Sequence, residues 1–230
     1  MKAKNIFCIF AMSSALAACS QTKTDSVNST KIKYFALGDS YTICEGAKEE
    51  EAWPVIMTKH LNEKNISVEL IANPSRTGYT TQNLIDNELP LFEKSEVDFV
   101  TLCIGVNDWV QKIDSGTFHK NLIFILDEVQ NHISDKSKII ILTIPDFGVT
   151  PTGKNYSGGR DISKGISEFN NIIIAEAKKR NLKTVDLFKV SKEMGNDSSL
   201  VATDGLHPSA KEYAIWEKLI LPVATGVLKK

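Results

Sequence analysis

Histidine and cysteine are scarce, with four of each in 230 residues. His60, His119, His132 and His207 are scattered and show no ligand spacing, so neither a metal centre nor a cofactor is expected. An excess of one charge is also missing. The 27 basic and 28 acidic side chains leave a formal net charge of −1. Lysines come in pairs, such as Lys178 with Lys179 and Lys229 with Lys230, which suit solvated helix faces and chain ends. No basic stripe is present, and a nucleic-acid partner is not expected. There is no internal repeat and no second block of composition. With 42% hydrophobic and 24% charged residues, the chain has the ordinary make-up of one α/β domain.

A long hydrophobic run is lacking as well. The apolar stretch 6–16 is too short for a stop-transfer helix, but it follows Lys2 and Lys4 and leads into small residues. This is the pattern of an export signal over residues 1–18. Leu16, Ala17, Ala18 and Cys19 resemble a bacterial lipobox. That resemblance implies cleavage before Cys19 and acylation of its thiol, which would hold the protein on a membrane surface of the cell envelope. Ser20 then points to the outer membrane if the cell has two. An ordinary signal peptide is the alternative. Residues 19–30 are polar and aperiodic and read as a flexible tether, leaving 31–230 as the folded domain. Cys44 and Cys103 remain. Export permits a disulfide between them, and two small buried apolar side chains are the other option. Nothing in the sequence speaks to oligomeric state.

From residue 31 two periodicities alternate. Nearly continuous apolar runs at 34–37, 68–72, 97–104, 139–144 and 184–187 have strand length and are rich in β-branched residues. Such runs predict strands covered on both faces. Between them, Phe118, Leu122, Ile125, Val129 and Ile133 form one helical stripe, and Ile166, Phe169, Ile173 and Ala177 another. Tyr213, Trp216 and Ile220 mark a last helix, expected to break near Pro222. Five rounds of alternation predict a five-stranded parallel sheet with helices on both faces. The Gly-, Pro- and Ser-rich stretch 145–163 is either a functional loop or a disordered insertion.

Ligands of such sheets bind beyond the carboxyl ends of the strands. Four short sequences fall there. Gly38, Asp39 and Ser40 follow the first run, and Gly78 closes the turn after the second. Gly105, Asn107 and Asp108 follow the third, and Asp204 and His207 lie between the fifth and the last helix. Each is weak alone. Ser40 can be a helix cap, Gly78 a turn residue, Asn107 an Asx turn, and Asp204 and His207 lone surface groups. Taken together, they can fill the roles of nucleophile, oxyanion donors, orienting acid and base.

With these residues the chain resembles the SGNH/GDSL hydrolase family over residues 33–225. All four blocks stand in the family's order, with Tyr41 where the first block commonly has Leu. No Gly-x-Ser-x-Gly elbow occurs, which disfavours the larger α/β-hydrolase fold. The resemblance implies a flavodoxin-like three-layer α/β/α sandwich. It also implies a catalytic triad of Ser40, Asp204 and His207, and an oxyanion hole made by Ser40, Gly78 and Asn107. Asp39 is then structural, and Arg76 is expected in a structural ion pair, with contact to a substrate carboxylate as the alternative. The implied chemistry is cofactor-free hydrolysis of carboxylic esters, with short-chain or acetyl esters, including those of glycans, as first expectation. A lysophospholipase or thioesterase, or a non-catalytic surface binding module, is the alternative.

Overall fold

The computed structural model describes residues 31–229 and Met1. The expected lipidation residue Cys19, the tether and the export signal beyond Met1 lie outside the described residues.

Five parallel strands form one sheet in the order β2-β1-β3-β4-β5. They are β1 (Ile32–Gly38), β2 (Val68–Ala72), β3 (Phe99–Cys103), β4 (Ile139–Leu142) and β5 (Lys183–Val185). Every residue of β3 and β4 is buried, as is β1 from Tyr34 onward. The edge strands correct the expectation of cover on both faces. In β2 buried Val68 is followed by exposed Glu69, and in β5 only Val185 is buried. An edge strand has a neighbour on one side only, so polar side chains stand toward water at no desolvation cost. The last strand is also shorter than its apolar run, because Asp186 leaves the sheet to cap the next helix by accepting the Lys189 N–H.

Nine helices follow in chain order among the described residues: α1 (Ser40–Ile43), α2 (Trp53–Glu63), α3 (Thr81–Asn87), α4 (Leu89–Phe92), α5 (Val106–Val110), α6 (Ser115–His132), α7 (Ile162–Lys179), α8 (Leu187–Ser191) and α9 (Ala210–Leu228). Helices α2 and α9 pack together on one side of the sheet; α3, α6 and α7 pack on the other. The apolar stripes of α6 and α7 meet through Phe118 and Phe169, whose rings stack at 4.4 Å. Asp114 and Asp161 start these two helices by accepting backbone N–H groups of their first turns.

The break expected at Pro222 does not occur, and α9 runs through it to Leu228. Pro222 and Lys218, whose carbonyl loses its helical partner, are both exposed, so the freed acceptor is not sealed in the core. Trp216, Ile220, Ala224 and Val227 keep the stripe buried across the proline. Cys44 and Cys103 are free, buried thiols rather than a disulfide.

Because β1 sends its chain to β2 on one side and β3 sits on the other, the loops leaving β1 and β3 diverge. That divergence opens a crevice at the carboxyl ends of the strands.

Candidate active site

The turn after β1 is shaped by two residues. A Cβ on Gly38 would lie 2.1 Å from the Thr42 hydroxyl and 2.3 Å from the Cys103 carbonyl, so no larger residue fits. Asp39 caps α1, its carboxyl accepting the Tyr41 N–H at 3.0 Å. Ser40 is therefore the first residue of α1 and not its cap. Its N–H belongs to the helix start, where no intrahelical acceptor exists.

Asp204 and His207 sit on a tight turn before α9. Gly205 takes φ +71, which favours glycine. One Asp204 carboxyl oxygen accepts the backbone N–H groups of Leu206 at 2.8 Å and His207 at 3.0 Å. The other lies 2.6 Å from His207 Nδ1. Since a carboxylate only accepts, Nδ1 carries a proton, and in the neutral ring Nε2 is the accepting nitrogen. Burial pushes the Asp204 carboxyl up, but its hydrogen bonds from His207 and Leu206 outweigh this and hold it below the usual range. The turn is closed from behind by the Ala202 N–H donating to the His207 carbonyl at 2.8 Å, and the Tyr41 ring meets the imidazole edge-on.

Gly78 and Asn107 come from adjoining loops. Gly78 takes φ +85, while a Cβ there would meet nothing within 4 Å, so the need for glycine is conformational. Asn107 is the second residue of α5 and donates one amide N–H to the Tyr79 carbonyl at 2.9 Å. The second amide N–H stays available to a ligand. Gln111 donates to the Gly78 carbonyl at 3.3 Å. Fully buried Asp108 accepts the Thr81 N–H at 2.8 Å and bonds the Thr81 hydroxyl. The loop after β2 is thus stitched to α5 at three residues. Burial raises the Asp108 carboxyl above its ordinary value.

Ser40, Gly78, Asn107 and His207 all line one cavity of 190 Å³. Asp204 is not on its wall and stands behind the imidazole. No hydrogen bond joins Ser40 to His207 among the described residues, a separation common before substrate arrives. The remaining wall is mostly apolar, with Val106, Val110, Phe147 and Leu206 beside Tyr41, Tyr156 and the polar Thr77. Sequence reasoning missed these residues. The composition of 145–163 was the one signal, and this stretch supplies Phe147 and Tyr156 to the cavity. It folds into turns at Phe147–Val149 and Gly153–Tyr156. Thr152 donates twice to the Gly205 carbonyl, through its N–H at 3.0 Å and its hydroxyl at 2.9 Å. Arg76 makes no ion pair among the described residues, contrary to expectation, because no carboxylate of the surrounding loops reaches it.

Comparison with known proteins identifies the family and the fold. The model of the GDSL-like lipase/acylhydrolase family matches residues 36–215. A multidomain esterase from Ruminococcus flavefaciens is 30% identical over 137 residues, which is 60% of this chain and 17% of that protein. The chain thus spans a small part of that relative's length. Among solved structures, a lipolytic protein of the G-D-S-L family from Veillonella parvula superposes with a TM-score of 0.69 at 20% identity, covering 84% of this chain and 98% of that one. An acetylxylan esterase from Geobacillus stearothermophilus superposes with a TM-score of 0.67 at 18% identity, covering 84% and 94%. At these identities the solved structures speak for the fold, a five-stranded parallel sheet between helices. The family match covers most of the chain, including all four blocks at the strand ends, and the chain belongs to the GDSL-like lipase/acylhydrolase family.

Proposed function

We propose that this chain is a serine esterase with Ser40 as nucleophile, His207 as general base and Asp204 as the acid that orients it. The observation that carries this reading is the 2.6 Å contact between Asp204 and His207 Nδ1, which in the neutral imidazole makes Nε2 the accepting nitrogen of a residue that shares a cavity with Ser40. In the acylation step Ser40 Oγ attacks the ester carbonyl and Nε2 takes its proton. The charge that develops on the carbonyl oxygen is met by the N–H groups of Ser40 and Gly78 and the free amide N–H of Asn107. As the tetrahedral adduct collapses, the imidazolium returns the proton to the leaving alkoxide and the alcohol departs. Water, deprotonated by the same nitrogen, then attacks the acyl-enzyme. The carboxylic acid leaves and Ser40 regains its proton.

Short acyl groups, acetyl above all, fit the 190 Å³ cavity with the Phe147 ring in its wall. The likeness in fold to an acetylxylan esterase favours acetylated glycans as the source. The apolar lining from Val106, Val110 and Leu206 supports a second reading, in which longer acyl chains are accepted. A series of p-nitrophenyl esters from acetate to palmitate, beside acetylated xylan and the Ser40→Ala variant, decides. Activity confined to acetate favours the first, a rise with chain length favours the second, and wild-type activity in Ser40→Ala defeats both.

Lipid attachment at Cys19 would place this activity on the cell envelope. Loss of radiolabelled palmitate from a Cys19→Ala variant is the expected result, and equal labelling of both proteins would remove the anchor.

A further inference from the structure

Behind the nucleophile turn lies a group of buried acids that the proposed chemistry does not use. Strand β2 ends at Ala72, opposite Phe35, so β1 runs on to Gly38 without that neighbour. There the Gly38 N–H donates to Glu88 Oε2 at 3.0 Å. Glu88 is fully buried between α3 and α4, and its backbone is held at both ends. Its N–H donates to the Leu84 carbonyl at 2.9 Å, and its own carbonyl accepts from Leu91 and Phe92. The carboxyl therefore has little freedom to leave Gly38.

We propose that Glu88 is a positioning residue for Ser40: its carboxyl takes the place of the missing strand, holds Gly38 at the end of β1, and so sets where the nucleophile stands relative to His207 and Asn107. Two features support this beyond the hydrogen bond itself. First, Glu88 and Asp39 each keep one buried carboxyl oxygen without a partner. The Ser75 hydroxyl faces Glu88 without the geometry of a full hydrogen bond. A buried carboxyl with no role would more cheaply be an apolar side chain. Second, no cation acts on either acid among the described residues. Glu88 faces Asp39, Ser75 and the Gly38 N–H, and Asp39 faces the Tyr41 N–H and Asp108. Burial pushes both carboxyls up to about 8, with the Asp39 charge adding to the rise at Glu88. Burial thus favours the uncharged form of both acids, which limits the fixed negative charge behind the site where an oxyanion must form.

The effect on catalysis rests on the esterase reading above, whereas the tether does not. The test compares Glu88→Ala and Glu88→Gln with the wild-type chain. Turnover is normalised to Ser40 labelled by a fluorophosphonate, and exchange of the Gly38 amide is followed by NMR against the β4 amide of Ile140. In Glu88→Ala the Gly38 amide exchanges faster relative to Ile140, and kcat per labelled serine falls about tenfold or more while KM stays within about twofold. In Glu88→Gln, whose amide oxygen can accept the same N–H, both return to near the wild-type values. Unchanged relative exchange in Glu88→Ala overturns the tether. Wild-type kcat per labelled serine in a destabilised Glu88→Ala reduces Glu88 to a stabilising residue and overturns the positioning role. A wild-type chain that neither labels nor hydrolyses esters defeats the esterase reading, and the Gly38 exchange then still decides the tether.

Discussion

Arg160 lies over the Trp109 ring, its guanidinium carbon 3.7 Å from the ring centroid. The same group donates to the carbonyls of Trp109 at 2.7 Å, Val110 at 3.2 Å and Ser157 at 3.0 Å. One half-buried side chain thus clamps the turn that bears Tyr156 onto α5, the helix that bears Asn107. Gly165 completes the contact, since a Cβ there would lie 1.9 Å from Trp109 Nε1.

Arg160→Ala removes the stack and three hydrogen bonds, a loss on the order of 2 kcal/mol in the order of this wall. The expected outcome is a KM raised up to about tenfold for esters large enough to touch Tyr156, with a smaller change for p-nitrophenyl acetate. Arg160→Lys should behave like the alanine variant, because an ammonium cannot stack or fork onto two carbonyls. Steady-state kinetics on a small and a bulky ester check this, and equal effects on both would speak against the wall.

Asn107→Ala deletes a proposed oxyanion donor and also the 2.9 Å bond to Tyr79. Loss of one such donor typically costs about 100- to 1000-fold in kcat. Asn107→Asp keeps the size but replaces the donor with an acceptor, so it should rescue nothing. A kcat within threefold of wild type in either variant, measured on p-nitrophenyl acetate, would remove Asn107 from the site.

A fluorophosphonate probe should form one covalent adduct, on Ser40, in the folded chain. Cys44 and Cys103 should not react, since both are buried and burial pushes both thiols well above their usual range. Intact-mass and peptide-mass measurements read the result. A folded chain without any adduct would favour a binding module on the same fold.

Stability should fall as pH rises from about 4 toward about 8, where the buried acids titrate. For Glu88 and Asp39 the folded state holds the proton more tightly than the unfolded one, with both carboxyls raised to about 8. Their contribution is complete below the unfolded values and is lost as pH climbs through the folded ones, at up to about 1.4 kcal/mol per pH unit for each group. Asp204 acts in the opposite sense, since hydrogen bonds lower it and its share is lost on acidification. Thermal melts of wild type and Glu88→Gln between pH 4 and 9 should diverge, with the variant flatter. Parallel curves would contradict the raised Glu88.

Much of the fold was legible because central parallel strands must be apolar on both faces. The cores of β1, β3 and β4 stand out as short apolar runs, and α6 and α7 as stripes at helical spacing. The edges were harder to read. Glu69 and Lys183 sit in strands that face water, and neither looks like a strand residue alone. Pro222 misled because a proline's cost depends on whether its freed carbonyl faces solvent, which local sequence does not state. In the site, Ser40, Gly78, Asn107, Asp204 and His207 were visible through their order along the chain. Phe147, Tyr156, Arg160 and Glu88 were not, because each acts through a partner distant in sequence.

By itself the sequence determined the alternation of strands and helices, the five residues proposed for chemistry, and the glycines that let the backbone turn sharply between them. These are local properties, set by hydrophobic period, side-chain chemistry and backbone freedom. Only the tertiary structure decided that the loop after β4 walls the cavity, that Arg160 pins it to α5, and that Glu88 stands under Gly38. Those contacts join segments far apart in the chain, and their strength comes from burial, which exists only once the sheet has brought the loop ends together.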